Sequence, residues 1–92
     1  MEHPMKAPEY LNTASILVSE DRNMTHGNKL ENHANIADLW SAYKKIEITA
    51  HDVAVMMALL KIARTKTGNI NKDDYVDACG YMSIAGEIAA DE

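Results

Sequence analysis

Residues 49–64 read TAHDVAVMMALLKIAR, and the rest of the chain is organised around them. Residues 53–60 are eight consecutive uncharged, apolar positions. They fill more than two helical turns, so no face of the segment is polar and every face calls for a covering neighbour. The stretch is therefore predicted to be a fully apolar central helix over about residues 50–66. Its start is marked by Thr49 with Asp52 three positions on. This is a capping box in which hydroxyl and carboxylate each accept an N–H of the first turn. Polar residues enter only at its end, where Lys61 and Arg64 stand three apart on one face and Gly68 follows as a stop signal.

Working outward from that helix, residues 30–45 are predicted to form a helix with Ile36, Leu39, Trp40 and Tyr43 facing the core at i, i+3, i+4 and i+7. Glu31, Asn35 and Asp38 lie on its opposite side. A first helix is expected over residues 8–20, with Pro8 as its opening residue and residues 1–7 loose. Between these two helices the polar run EDRNMTHGNK, residues 20–29, is the longest irregular segment. Long polar loops in small domains often carry function. A fourth helix opens after Asn71, whose side chain caps it, with Asp73 and Asp74 in its first turn. It carries one row of Tyr75, Ala78, Met82 and Ala85 and another of Asp73, Asp77, Gly80 and Tyr81. No strand pattern, internal repeat or low-complexity run competes. The predicted architecture is all-α, one domain over residues 1–92 built from four antiparallel helices with short connections.

Ninety-two residues bury a modest core, which an oligomer interface would usefully enlarge, so a homo-oligomer of at least two chains is expected. Aromatics are only 5% and six methionines fill packing volume, a composition that adapts easily and specifies poorly. The net charge of −5 argues against a general nucleic-acid binder and against attachment to anionic membranes. Any anionic ligand then needs a local basic pocket. The single cysteine, Cys79, has no internal disulfide partner and reads as a buried reduced thiol. The N-terminus lacks the apolar segment of a signal peptide and no run is long enough to span a bilayer, so the expected compartment is the cytoplasm.

Asp73 and Asp77 lie one turn apart, and the short connection after the central helix sets them beside Lys61 and Arg64. The group is either a ligand site or an ion-pair network tying two helices. Asp52 points away from Lys61 and is nine rises of ~1.5 Å from it, so the two cannot grip one small group. Asp52 is then a cap residue or one wall of a separate acidic site. In the loop, Asp21, Arg22, His26, Asn28 and Lys29 offer phosphate or base-edge contacts and Gly27 allows close backbone approach, against the alternative of a solvated connection. His26, His33 and His51 lack metal-ligand spacing, and one cysteine makes a zinc site unexpected. Neither a glycine-rich phosphate loop nor a nucleophile elbow is present.

Three segments, EDRNMTHGNKLENHANIADLW, ITAHDVAVMMALLKIAR and KDDYVDACGY, resemble in that order a family of small phage and prophage proteins of unassigned function. The family pattern falls on Arg22, Gly27, Glu31, Asn32, Asp52, Lys61, Arg64, Asp73, Asp77, Gly80 and Tyr81. One departure is His26, where the family usually has Tyr. More distantly, an acidic helix followed by an Asp-containing apolar helix looks like the all-α nucleotide pyrophosphohydrolases of the MazG kind, which hold Mg²⁺ with E-x-x-E and E-x-x-D. Asp74 and Asp77 have the second spacing, and the first is missing.

The resemblance gives family membership without an activity, and two readings from different classes follow. The first is a phage-type nucleotide-binding protein in the cytoplasm of an infected or lysogenic bacterium, expected to sequester a host signalling nucleotide. Its ligand residues would be Arg22, His26, Gly27, Asn28, Glu31, Asn32, Lys61, Arg64, Asp77 and Tyr81, with no cofactor. The alternative is a Mg²⁺-dependent pyrophosphohydrolase using Glu31, Asp52, Asp73 and Asp77. A structural phage protein without ligand is the third reading.

Overall fold

The computed structural model describes residues 4–21 and 28–91. Four α-helices account for most of them: α1 (Ala7–Ile16), α2 (Lys29–Lys44), α3 (Ala50–Arg64) and α4 (Lys72–Asp91). A single π-helical turn, Leu17–Asp21, continues α1, so the first helix is one turn shorter than its sequence suggests. No strand occurs among the described residues, and no helix is long and apolar enough to cross a membrane.

The caps fix the helix starts. At α1, Pro8 sits in the first turn and the Glu9 carboxylate accepts the Lys6 N–H at 3.2 Å. At α2, Asn28 Oδ1 accepts the N–H groups of Leu30 and Glu31 at 2.8 and 3.2 Å. The α3 capping box is formed as predicted. Asp52 N–H donates to Thr49 Oγ1 and Thr49 N–H donates to Asp52 Oδ2, each at 3.0 Å. Asn71 caps α4 through Asp73 N–H at 3.0 Å. Between α2 and α3 the turn is closed by Ser41, whose hydroxyl donates to Ile48 O and accepts from Ile48 N–H. Lys45 ends α2 at φ 58°, a left-handed conformation that is strained for any side chain other than glycine's.

The core lies between α3 and α4. Ala54 of α3 meets Ile84, Ala85 and Ile88 of α4, with Val18, Leu30, Ala50, Val55 and Tyr81 packed around them. Ala54 and Ala58 are the small buried residues of α3, and α4 buries an i+4 row of Val76, Gly80, Ile84 and Ile88. Two ion pairs run across them, Lys61 to Asp77 and Arg64 to Asp74. Their descending order along α4 makes α3 and α4 antiparallel.

Several expectations are corrected here. Helix α1 does not complete an antiparallel bundle. Tyr10 packs edge-on against Tyr75 and Val18 lies against Gly80, so α1 runs in the same direction as α4. The long connection after it, unlike a tight hairpin, imposes no reversal. Helix α3 is not covered on every side within the single chain. Val53, Ala54 and Ala58 are buried, while Met56, Leu59, Leu60 and Ile62 are exposed, because only α4 and α2 pack substantially against it. Within the single chain, α4 contributes more of the buried positions than residues 53–60 do. Helix α2 is turned by most of one ~100° residue step from its predicted orientation. His33 and Ala37 face inward with Ile36 and Trp40 beside them, while Leu39 and Tyr43 are 70% and 84% exposed. On α4 the packed row is Val76, Gly80, Ile84 and Ile88, and Tyr75 and Met82 face outward. Cys79 is half-buried, short of the expected burial.

Candidate ligand-binding cavity

One cavity of about 230 Å³ opens where α2, α4 and the π-helical turn meet. Its apolar wall is made by Leu17, Val18, Ile36, Met57, Val76 and Ile84. The polar wall is made by Lys29, Asn32 and His33 from α2 and by Asp77 and Tyr81 from α4, with Gly80 between them. Gly80 leaves room for Val18: a Cβ there would come within 3.3 Å of Val18 Cγ1, so that side chain would have to give by a few tenths of an ångström.

His33 is the least ordinary of these side chains. It is only 6% exposed and its Nδ1 lies 2.7 Å from the Lys29 carbonyl oxygen, one turn back on α2. Its Nε2 is buried without a hydrogen-bond partner. The ring is held edge-on to Tyr81, centroids 6.2 Å apart. A buried polar atom left unpaired is costly and rare, and commonly marks a place for a water, an ion or a ligand.

The charges around the cavity are largely matched. Asp77 Oδ2 receives Lys61 Nζ at 3.1 Å, both side chains mostly buried. Removing either partner would strand the other charge in a poorly solvated place. Lys29 reaches Glu87 at 3.3 Å nearer the surface, where an ion pair contributes little and exchanges readily. Farther along, Arg64 Nε approaches the buried Asp74 Oδ1 to 3.2 Å without hydrogen-bond geometry.

The residues singled out from the sequence divide accordingly. Asn32, Asp77 and Tyr81 meet at the cavity, and Lys61 reaches it through Asp77. Asn28 is spent on the α2 cap, and Glu31 sits exposed in the first turn of that helix. Arg64 belongs to the α3–α4 tie, where its partner is Asp74 instead of Asp73, which is exposed. Asp52 lies at the opposite end of α3, in its capping box. Among the described residues no three His, Cys, Asp or Glu side chains are grouped so as to hold a metal ion. Arg22, His26 and Gly27 lie outside the described residues; their segment joins the π-helical turn to α2, both of which line the cavity. Lys29 and His33 line the cavity too. The periodicity His33, Ile36, Ala37, Trp40 was present in the sequence, and starting it one turn earlier would have placed His33 inside.

Residues 9–89 match the family described as a domain of unknown function, DUF6378. The chain belongs to that family. It is 45% identical over 75 residues to the Gene 55 protein of Mycobacterium phage L5, a match covering 80% of this chain and 48% of the relative. With the Gene 55 protein of Mycobacterium phage D29 it shares 41% identity over 78 residues, covering 85% and 52%. The chain thus spans about half the length of these phage relatives. No solved structure matches it. Every cavity residue named above falls within the family's span.

Proposed function

We propose that the protein binds a nucleotide for the phage, with the base in the α2–α4 cavity, and that it thereby withholds a signalling nucleotide from host defence. The observation carrying this reading is a convergence. Asn32, Asp77, Gly80 and Tyr81, singled out in sequence from two separate segments, line one cavity together with His33, whose ring Nε2 is buried without a hydrogen-bond partner. The volume lies below the ~300–1,000 Å³ of pockets for drug-sized ligands, which suits a base and part of its sugar and leaves phosphates at the mouth. There Lys29 is the nearest described cation, and Arg22 lies on the connecting segment. Both Asp77 and Asp74 already face α3 cations, which favours binding over Mg²⁺-dependent hydrolysis.

Calorimetry with nucleoside triphosphates, cyclic dinucleotides and ADP-ribose derivatives, run with Mg²⁺ and with EDTA alongside a phosphate-release assay, tests the reading. Binding is expected to persist in EDTA without turnover. Lys29→Ala or Arg22→Ala should remove a charge-assisted hydrogen bond worth about 1.5–3 kcal/mol, roughly a tenfold to hundredfold loss of affinity. Mg²⁺-dependent pyrophosphate release that vanishes in Asp77→Asn would replace this reading with the enzyme. Neither binding nor release would leave a structural phage protein in which the Lys61 and Arg64 pairs only tie helices.

A further inference from the structure

Resting on the nucleotide reading, we infer from the charges around the cavity that the site takes a ligand with a single negative charge, a phosphodiester in place of a polyphosphate. Glu87 is the residue that turns further charge away. Of the residues lining the cavity, Lys29 and Asp77 are the formally charged ones, with histidine neutral. Each already has an opposite partner: Asp77 receives Lys61 at 3.1 Å, and Lys29 reaches Glu87 at 3.3 Å. Among the described residues the charges at the cavity therefore cancel. In sequence Arg22 follows directly on Glu20 and Asp21, so the stretch that carries it brings no surplus of cations.

Glu87 stands one turn beyond Ile84 of the apolar wall, and its bond to Lys29 crosses from α4 to the first turn of α2. The pair thus spans the rim between the two walls. A phosphate oxygen bonded to Lys29 Nζ at about 2.8 Å lies within about 6 Å of the Glu87 carboxylate, given the 3.3 Å between those two side chains. At that range two like charges repel enough to cost about threefold in affinity even with the screening of water, the regime that suits a half-exposed Glu87. Lys29 offsets one phosphate charge. Each further charge meets Glu87 with no described cation left to answer it, since drawing Lys61 away would strand the mostly buried Asp77.

For each of adenine, guanine, cytosine and uracil, the whole chain is titrated in EDTA with the nucleoside, the 3′,5′-cyclic monophosphate and the 5′-triphosphate. For a base that binds, the cyclic phosphodiester should bind about tenfold or more tightly than the triphosphate. Glu87→Gln should leave the neutral nucleoside unchanged, tighten the phosphodiester about threefold and tighten the triphosphate about tenfold, so that the gap narrows. Glu87→Lys should narrow it further, and added salt should narrow it in the parent protein by screening the same exposed charge. A Glu87 that only ties α2 to α4 would move all three probes alike. That result, or a parent protein that binds triphosphate as tightly as phosphodiester, overturns the charge inference and leaves the nucleotide reading standing. Failure of every probe to bind overturns both.

Discussion

Thr49 and Asp52 satisfy each other's backbone N–H groups at the start of α3, and their geometry gives the carboxylate a measurable role in stability. The pKa of Asp52 is held below its ordinary value, first by the Thr49 backbone N–H, then by the Thr49 side chain. A depressed folded-state pKa contributes stability that is present above the unfolded carboxylate value of ~3.9 and is lost as pH falls through the folded value. Asp52→Asn should therefore lower the urea midpoint at pH 7, and the gap from the parent protein should close near pH 2. An unchanged gap across that range would show that the charge is idle. Thr49→Ala, which deletes the hydroxyl acceptor, should cost about 1 kcal/mol in the same assay at neutral pH. These cap residues were legible in the sequence because capping depends on neighbours three positions away. His33 was not, since its burial depends on how α2 is turned against α4.

The long-range contacts decide what the elements do, and helix α3 illustrates the difference between composition and burial. Its apolar run correctly marked a helix and both of its ends, yet an eight-residue run has no polar side to fix an orientation. Which face turns inward is then settled by α4, whose Ile84, Ala85 and Ile88 pack with Ala54. The ion pairs follow from the same register: Lys61 was placed beside Asp77 correctly, and Arg64 found Asp74 one position from the expected Asp73. Periodicity gives the spacing of such partners but not the phase of the second helix. Ala54 has no exposed surface, so Ala54→Leu should overpack the α3–α4 contact and destabilise by roughly 1–3 kcal/mol in denaturant unfolding. Leu59→Ala on the outer face should change monomer stability by no more than about 0.5 kcal/mol. Equal effects of the two substitutions would contradict the observed orientation of α3.

On the scale of the whole molecule, the outer face of α3 continues past its own helix. Tyr43 and Ile46 from the end of α2 flank a groove with Val55 and Met56, and Leu59, Leu60 and Ile62 extend the exposed apolar surface along α3. Contiguous apolar surface of this kind on a small domain marks an interaction face, and the modest core of a short chain gains most from covering it. Self-association through this face is the assembly we propose, since two-fold pairing lets one patch serve both partners. Sedimentation at micromolar concentration should then show a species of about twice the 10.2 kDa chain mass. Leu59→Lys places a charge in the centre of the face without touching the α3–α4 contact, and it should return the protein to a single chain while leaving its helical content unchanged. The cavity lies on the other side of α3, lined by Met57 instead of Met56, so nucleotide affinity should be the same in that variant. A parent protein that sediments at the chain mass would refute the assembly, and a Leu59→Lys variant that still pairs would move the interface elsewhere.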